Sequence, residues 1–275
     1  MNDQATRAEK FRSLHARPGI FAIPNPWDAG SARILAMLGF EALATTSAGF
    51  AFSLGKPDAE GALSRDETLA NARAIVEATD LPVSADLENG FGAEPDACAQ
   101  TIARAASTGL VGGSIEDATG RSDEPIYPFA LAVERVAAAV RAARALPFAF
   151  TLTARAENFL YGRPDLTDTL ARLEAFAAAG ADVLYAPGLK SRADIEAVVK
   201  AVAPKPVNVV MGLSGVALSL EELGALGVKR VSLGSSLARA AYGAFVSAAR
   251  EVRTRGTFGF ADAAISYAEI NAMFR

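Results

Sequence analysis

The stretch "SRDETLANARAIVEATDLPVSADLENGFG", residues 64–92, contains the unit from which the fold can be predicted. Ser64 followed three residues later by Glu67 is a capping box, which predicts a helix starting there. The apolar segment "LPVSADL" then predicts a buried strand. Asp86 and Glu88 follow near its end, and because side chains alternate along a strand, their carboxylates point the same way. Two like charges on one face need a cation to compensate them.

The same unit recurs along the whole chain, with short apolar segments alternating with amphipathic helical patterns. Such uninterrupted apolar segments are typical of strands buried on both faces. Eight strands, each followed by at least one helix, predict an α/β fold of the (β/α)8 TIM-barrel type, with an open doubly wound sheet as the alternative. The predicted strands are Ile20–Pro24, Ala42–Thr46, Val83–Leu87, Gly113–Asp117, Phe148–Thr153, Asp182–Ala186, Val207–Met211 and Arg230–Gly234.

Two units are predicted: a barrel over residues 1–255 and an extra C-terminal helix within 256–275. Glycines at 256 and 259 interrupt the helical pattern, and "ADAAISYAEINAMF", residues 261–274, carries a wide apolar stripe. A helix that is so apolar must pack against something, either its own barrel or a neighbouring subunit. We expect a homo-oligomer.

Bulk composition excludes several classes of protein. The chain has 275 residues, a net charge of −4 and a pI of about 5.3, so no basic footprint for nucleic acid is present. The sequence has no uninterrupted apolar run of about 18 residues, so no membrane span is predicted. The single cysteine, Cys98, cannot form an intrachain disulfide and is interpreted as a core residue. A cytoplasmic location is the default expectation.

Acidic residues follow three successive predicted strands, where active sites of these barrels lie. Oxygen ligands without His or Cys suit a hard divalent ion, so we predict Mg²⁺, with Mn²⁺ as the alternative. Arg155 is expected to bind a substrate carboxylate. His15, the only histidine, precedes the first strand and is predicted to lie on the surface, so a histidine base is not expected. Residues 234–236 could bind phosphate at a helix N-terminus.

Several motifs, in this order, resemble those of the isocitrate lyase/phosphoenolpyruvate mutase superfamily. "SADLENGFG" is similar to the family's D-A-D-T-G-Y-G, "IEDA" to its E-D-Q or E-D-K, and "TARAENF" to its A-R-T-D-A. "GFEALATTSAGFAFSLGKPD" resembles the second strand with its Ser-Gly-type loop. The resemblance covers nearly the whole chain.

The resemblance implies a modified barrel, usually tetrameric, whose last helix is exchanged between subunits. It also implies Mg²⁺ and a 2-oxo or 2-hydroxy acid substrate. Asp86 would bind the metal directly, and Asp58, Glu88 and Glu116 would hold its waters. The substrate would contact Arg155 and Asn208, with its carboxylate on the backbone N–H groups around Ser47, Ala48 and Gly49.

The loop after the fourth strand departs from the family pattern. Family lyases have a catalytic Cys there in K-[KR]-C-G-H, whereas "EDATGRSDEPIYPF" contains no Cys, Lys or His. The Lys and Asn of the phosphonate enzymes are also absent, and Gly188 replaces the Glu of the methylisocitrate lyases. Arg121 and Tyr127 are the catalytic candidates that the loop offers in their place. The proton donor would be Tyr127, Ser122 or Asp123 in the loop, or Tyr185 after the sixth strand, and Arg121 could instead bind a distal carboxylate.

From these residues we predict a Mg²⁺-dependent carbon–carbon lyase acting through an enolate of a small 2-oxo or 2-hydroxy di- or tricarboxylic acid. Isocitrate-like cleavage and oxaloacetate-type decarboxylation are its two forms, and decarboxylation needs the missing acid–base residues least. The alternatives are phosphonate P–C chemistry and a weakly catalytic protein that binds 2-oxo acids.

Overall fold

Eight parallel strands form a nearly closed barrel in the computed structural model, which describes residues 4–58, 61–212 and 217–275. The strand order is β1-β8-β7-β6-β5-β4-β3-β2, with every neighbouring pair parallel. The strands are β1 Phe21–Ile23, β2 Leu43–Ala44, β3 Val83–Asp86, β4 Gly112–Glu116, β5 Thr151–Arg155, β6 Val183–Tyr185, β7 Val207–Val210 and β8 Arg230–Ser232.

Helices surround this barrel. Asp28, Ser64 and Ser219 each cap a helix through a capping box, and the one predicted at Ser64 is thereby confirmed. The helices are α1 Gln4–Ala16, α2 Ala29–Met37, α3 Ser47–Ser53, α4 Arg65–Glu77, α5 Pro95–Ala106, α6 Phe129–Arg144, α7 Leu166–Ala178, α8 Arg192–Val202, α9 Leu220–Ala225, α10 Ser236–Arg255 and α11 Tyr267–Ala272.

The first and last strands meet, which confirms the barrel and excludes the open doubly wound sheet. Phe21 is in register with Arg230 across β1 and β8. At the remaining seam, between β1 and β2, Ala44 N donates to Pro24 O over 3.1 Å. A doubly wound sheet leaves its outer strands as free edges, whereas here one short hydrogen-bonded seam closes the ring.

Burial along the strands shows where the barrel opens. In β3, β5, β6 and β7 the last residue is the only one that is not fully buried. Packing around the strands is tight: a Cβ added to Gly113, in β4, would lie 2.6 Å from Leu87 Cδ1. Solvent therefore reaches the strands at their C-terminal ends, where barrel enzymes place their active sites.

The chain continues beyond the barrel as predicted, but not as one helix. Helix α10 ends at Gly256, whose φ of 63° is the left-handed conformation of a C-cap. A 3-10 turn at Gly259–Ala263 follows, and Ser266 then caps the short α11. The extended backbone at Ala264 separates the two, so the single helix predicted over residues 261–274 was wrong. Arg33 Nη1 donates to Phe274 O over 3.1 Å and ties the segment to its own α2.

His15 is half-buried and packed between aromatic rings rather than free on the surface, which corrects the prediction. Its ring packs edge-on between Phe11 and Phe21, with centroids 4.7 and 5.1 Å away. Nδ1 lies 2.9 Å from Phe11 O and Nε2 lies 3.3 Å from Arg230 Nη1. Burial first, and then the charge of Arg230, lower the pKa of His15 to about 3. The imidazole is therefore neutral at physiological pH.

The depressed pKa of His15 predicts a loss of stability in mild acid. The unfolded chain binds a proton at His15 below its unfolded pKa of about 6.5, whereas the folded chain does not until pH falls to about 3. The stabilising contribution is complete above the upper value and decreases by about 1.4 kcal/mol per pH unit below it. Between about pH 7.5 and pH 5, the free energy of unfolding measured in urea should fall by about 2 kcal/mol more for the wild type than for His15→Gln. Equal losses in the two proteins would contradict this enclosure.

Candidate active site

The acidic strand ends predicted from the sequence meet on three neighbouring strands. Asp86 ends β3, Glu116 ends β4 and Arg155 ends β5. Glu116 and Arg155 are directly in register, and Asp86 is in register with Ser114, two residues before Glu116. Because the strands are parallel, the three side chains emerge at one edge of the barrel.

Arg155 is the centre of the cluster. Its Nη1 lies 3.0 Å from Asp86 Oδ1, its Nη2 3.2 Å from Glu116 Oε2 and its Nε 2.8 Å from Glu157 Oε1. The side chain is 13% exposed, and its guanidinium lies 5.2 Å from the centre of the Tyr185 ring. Burial opposes the charge of Arg155, but the three carboxylates together raise its pKa well above the ordinary value. One cation thus holds three acids in place.

Asp86 is held from a second side by the β2–α3 junction. Its Oδ2 accepts from Ser47 Oγ over 3.0 Å, and its backbone N donates to Thr45 Oγ1 over 3.0 Å. Gly49 N donates to the N-cap Thr46 over 3.2 Å. A Cβ added to Gly49 would lie 2.7 Å from Thr46 Cγ2, so this turn requires glycine. Residues 47–49 therefore lie beside the acid cluster, with the Gly49 N–H already engaged.

Glu88 follows Asp86 in a left-handed conformation, with φ of 48°. A non-glycine residue held there is strained, and such strain is common at functional sites. Its N–H donates to Asp86 Oδ1 over 3.3 Å. Burial first, and then the charges of Asp86 and Asp58, raise the pKa of Glu88 to about 8. The electrostatic field at this position disfavours a further negative charge.

The other acids show the same excess of negative charge. Partial burial and Asp86 raise the pKa of Asp58. Burial raises the pKa of Glu116 well above its usual value, with Glu157, Asp86 and Glu88 adding to it and Arg155 opposing it. Three carboxylates thus contact a single guanidinium and two more lie within range of its charge, so the cluster lacks positive charge.

A divalent cation would supply that charge, and the residues fit one particular kind. All the candidate donors are carboxylate oxygens, which suit Mg²⁺ or Mn²⁺. Within the ranges the structure describes, no three acidic, His or Cys side chains form a group that could hold an ion together. The arrangement therefore fits an ion that keeps most of its waters, as Mg²⁺ does, and not a cage of direct ligands.

Beside the cluster lies a cavity of about 780 Å³. Its polar lining includes Ser47, Asp58, Glu88, Glu116 and Arg155. Its apolar lining comes from four other side chains, which are Leu63, Phe91, Leu160 and Tyr161. A smaller cavity of about 270 Å³ continues into the barrel mouth, where Asp86 and Asn208 line it. A small anionic molecule could occupy this space with its head at the acids.

Asn208, on β7, is buried at the bottom of the smaller cavity. Its Nδ2 donates to Ser232 Oγ over 2.9 Å, and its Oδ1 accepts from Arg230 Nε over 2.8 Å. Ser235, at the start of α10, also lines this cavity. The N–H of Gly234 is used internally, donating to Asn25 Oδ1 over 2.9 Å. The predicted phosphate contact at residues 234–236 therefore lacks a free Gly234 amide.

The loop after β4 folds into a small hairpin closed by a bridge between Ala118 and Ile126. Arg121 pairs with Asp123 over 2.6 Å and is 62% exposed. Tyr127 is 7% exposed and stacks under the guanidinium of Arg135, 4.0 Å from its ring centre. Neither candidate lines the two cavities beside the acids. The structure does not bring these two predicted catalytic residues to the cluster.

Arg135, on α6, was missed in the sequence. It is 1% exposed and donates to the backbone carbonyls of Asn89, Gly92 and Ala93, with 2.7 Å to Gly92 O. These residues form the loop that follows Glu88. The sequence does contain a signal for this role: an Arg occupies a core-facing position of α6, between the apolar Ala132 and Val136. Its guanidinium fixes the loop that carries Glu88.

Arg135→Met should therefore destabilise the protein. Three backbone carbonyls would lose a charged donor that is itself buried, which predicts a loss of about 2–4 kcal/mol in the free energy of unfolding. Amide hydrogen exchange at residues 89–93 should also accelerate. The control is Arg141→Met, on an exposed position of the same helix. If the two variants unfold at the same urea concentration, Arg135 does not hold the loop.

Comparison with known proteins places this geometry among related enzymes. The family model "phosphoenolpyruvate phosphomutase" matches residues 11–253. A "probable 2-methylisocitrate lyase 1" of Corynebacterium glutamicum is 30% identical, covering 93% of this chain and 84% of its own. An "oxaloacetate decarboxylase" of Bradyrhizobium diazoefficiens is 30% identical, covering 76% of each chain.

Two solved structures are also similar to this chain. A "putative lyase/mutase" from Burkholderia cenocepacia is 64% identical with a TM-score of 0.96, covering 98% of this chain and 96% of its own. A 2,3-dimethylmalate lyase, described as a PEP mutase/isocitrate lyase superfamily member, is 26% identical with a TM-score of 0.87 and covers 98% and 95%. In the described ranges of this chain, no helix is both long and apolar enough to cross a membrane.

Proposed function

Because this chain belongs to the phosphoenolpyruvate phosphomutase family of the isocitrate lyase/PEP mutase superfamily, we propose that it is a Mg²⁺-dependent carbon–carbon lyase. Its substrate is a small 2-oxo or 2-hydroxy di- or tricarboxylic acid. The observation that carries the proposal is the cluster of three carboxylates paired with Arg155, with those of Asp58 and Glu88 beside them, at a cavity of about 780 Å³. Relatives named as lyases and as a decarboxylase support the same class of reaction.

The residues of the cluster have distinct roles in this proposal. Asp86 binds the metal directly, because its carboxylate lies between Ser47 and Arg155 and is fixed by both. Asp58, Glu88 and Glu116 hold the metal's waters, which suits side chains that do not converge on a single point. When bound, Mg²⁺ would supply Lewis-acid stabilisation of the negative charge that develops on the substrate as it becomes an enolate.

The substrate carboxylate next to the reacting carbon binds at the β2–α3 junction. Ser47 and Ala48 line the smaller cavity there. The Ser47 hydroxyl and the Gly49 N–H are held by Asp86 and Thr46 until a substrate displaces these contacts. Arg155 contacts the substrate while it keeps the acids in position. Asn208, held by Ser232 and Arg230, provides an oriented amide at the base of the same space.

Decarboxylation is the form of the reaction that these residues serve best. The cavities beside the cluster are not lined by a Cys, Lys or His among the described residues. Retro-aldol cleavage requires a proton transfer between the protein and each fragment. Loss of CO₂ requires only that the enolate charge be stabilised before it is protonated. An oxaloacetate-type 2-oxo diacid is accordingly the first substrate to test.

Turnover tests the proposal. The purified protein is incubated with a panel of 2-oxo and 2-hydroxy di- and tricarboxylic acids, with Mg²⁺ or with EDTA, and released CO₂, pyruvate and glyoxylate are measured. We expect one acid to be cleaved with Mg²⁺, at a rate above that of metal alone, and not with EDTA. Binding without product release would instead support the weakly catalytic 2-oxo acid binding protein.

Phosphonopyruvate in the same panel tests the second enzymatic reading. The family model that matches residues 11–253 is named for a phosphomutase, and rearrangement or hydrolysis of the P–C bond of phosphonopyruvate would favour that chemistry. The loop after β4 argues against it, since it contains neither Lys nor Asn. Turnover of phosphonopyruvate but of none of the carboxylic acids would replace the lyase proposal.

Assembly through the C-terminal segment is also part of the proposal. Helix α10 has one buried residue, Ala238, while Phe245 is 69% exposed and Tyr267 is 85% exposed. Large apolar side chains in one segment favour contact with a second copy of the chain. Deleting Ala261–Arg275 should lower the oligomeric state measured by light scattering. An unchanged assembly would show that the segment is not at the interface.

A further inference from the structure

The larger cavity contains a second positive charge that the proposed chemistry does not use. Among the described residues that line it, Arg155 and Arg65 are the two cationic ones. Arg155 is occupied by Asp86, Glu116 and Glu157. Arg65 is therefore the cation that remains available to an incoming anion.

Arg65 is the first residue of α4, directly after the N-cap Ser64. Its Nη2 lies 3.5 Å from Gly90 O and 3.4 Å from Phe91 O, at the long limit of a hydrogen bond. Its Nε is buried without a partner, and no described carboxylate lies within ion-pair distance of the guanidinium. Within the described ranges, the charge of Arg65 is balanced only by two weak carbonyl contacts.

The surroundings of Arg65 would strengthen its attraction for an anion. Leu63, Phe91, Leu160 and Tyr161 line the same cavity and make part of its wall apolar. A charge pair interacts more strongly in such surroundings than in bulk water. A guanidinium can also bind a carboxylate through two parallel hydrogen bonds, so a carboxylate is the anion that this position fits best.

The position of Arg65 relative to the acid cluster determines which carboxylate of the substrate it would bind. Asp58, Glu88 and Glu116 line the same cavity and repel anions from their own region unless a metal is present. The substrate carboxylate next to the reacting carbon is already assigned to residues 47–49. Ser47 and Arg65 line the same cavity, so the carboxylate that remains for Arg65 is the one at the other end of the molecule.

We propose that Arg65 binds the distal carboxylate of the substrate and thereby selects diacids over monoacids. This inference rests on the proposed function, since it assumes that a 2-oxo or 2-hydroxy acid occupies the cavity. It assigns to Arg65 the role that the sequence left open for Arg121, which the structure places in an exposed pair with Asp123.

Calorimetric binding with Mg²⁺ tests the role of Arg65 on two matched pairs of acids. The five-carbon pair is 2-oxoglutarate and 2-oxovalerate, and the four-carbon pair is malate and 2-hydroxybutyrate. Each pair differs only in its distal carboxylate. In at least one pair, the wild type should bind the diacid about tenfold more tightly or better, which corresponds to about 1.4 kcal/mol.

Arg65→Gln should remove this preference and leave the monoacid affinity within about twofold of the wild type. Arg65→Lys should retain part of the preference, because it keeps the charge but cannot form the two parallel hydrogen bonds of a guanidinium. Arg73→Gln, on an exposed position of the same helix, is the control and should change neither affinity. Thermal unfolding of each variant confirms that it is folded.

Three results would overturn the inference. If the wild type binds the monoacids with Mg²⁺ but shows no preference in either pair, Arg65 does not select diacids, and the proposed function still stands. If Arg65→Gln weakens diacid and monoacid equally, Arg65 supports the loop at Gly90 and Phe91 and not the ligand. If none of the four acids binds the wild type, this inference fails, and the proposed function fails with it only when the turnover panel also yields no product.

Discussion

Asp86→Asn should lower kcat/KM by about 10³-fold or more and remove the dependence of the rate on Mg²⁺. The substitution keeps the size of the side chain and removes its charge. An Asn oxygen can still accept from Arg155, which is 3.0 Å from Asp86 Oδ1, so the cluster should stay assembled. The loss should therefore appear in metal affinity and rate and not in stability. Initial rates against Mg²⁺ concentration, with calorimetric Mg²⁺ titration, measure both.

Asp123→Asn provides the matched control for Asp86→Asn. Asp123 is also an aspartate paired with an arginine, but it is 69% exposed and lies outside the cavity. Its replacement should leave kcat/KM and the Mg²⁺ affinity unchanged. If Asp86→Asn keeps the metal affinity of the wild type, Asp86 is not the direct ligand.

Arg155→Met should be the most destabilising single change at the site, lowering the free energy of unfolding by about 3–5 kcal/mol. Glu157 is 2% exposed and is held by Nε of Arg155 over 2.8 Å, and Asp86 and Glu116 depend on the same guanidinium. Removing it would leave buried carboxylates without a cation. Urea unfolding measures the loss, and activity should fall together with stability.

Arg144→Met separates this effect from the loss of an ordinary surface ion pair. Arg144 lies 2.6 Å from Asp182, and the two side chains are 47% and 32% exposed. Such exposed pairs contribute about 0–1 kcal/mol, so this variant should be nearly as stable as the wild type. If Arg155→Met loses as little free energy of unfolding as Arg144→Met, then Asp86, Glu116 and Glu157 do not depend on Arg155.

The barrel could be predicted from the sequence because apolar strand segments alternate with helical patterns. The exact limits of each strand depend on pairing partners that a sequence does not show. The apolar Phe148 and its neighbours indicated a strand over Phe148–Thr153, whereas β5 spans Thr151–Arg155. It extends to Arg155 because that residue pairs in register with Glu116 on one side and Tyr185 on the other. Predicted limits were displaced wherever pairing, not hydrophobicity, decides the ends.

In the candidate site, too, some features follow from the sequence pattern and others depend on contacts that the sequence does not show. The convergence of Asp86, Glu116 and Arg155 follows from strand order, which the sequence pattern indicates. The positions of Arg121 and Tyr127 depend on how the loop after β4 folds, and its hairpin turns one outwards and buries the other. Arg65 and Arg135 act through contacts between elements that are distant along the chain, so local patterns could not predict their partners.

A crystal structure of the protein with Mg²⁺ and oxalate tests the central claim most directly. The claim is that the acids around Arg155 hold a metal and a small carboxylic acid together. We expect a metal ion bound to Asp86, with waters between it and Asp58, Glu88 or Glu116, and oxalate between the metal and residues 47–49. A metal ion and oxalate bound elsewhere, or bound here without contact between the metal and Asp86, would contradict the account.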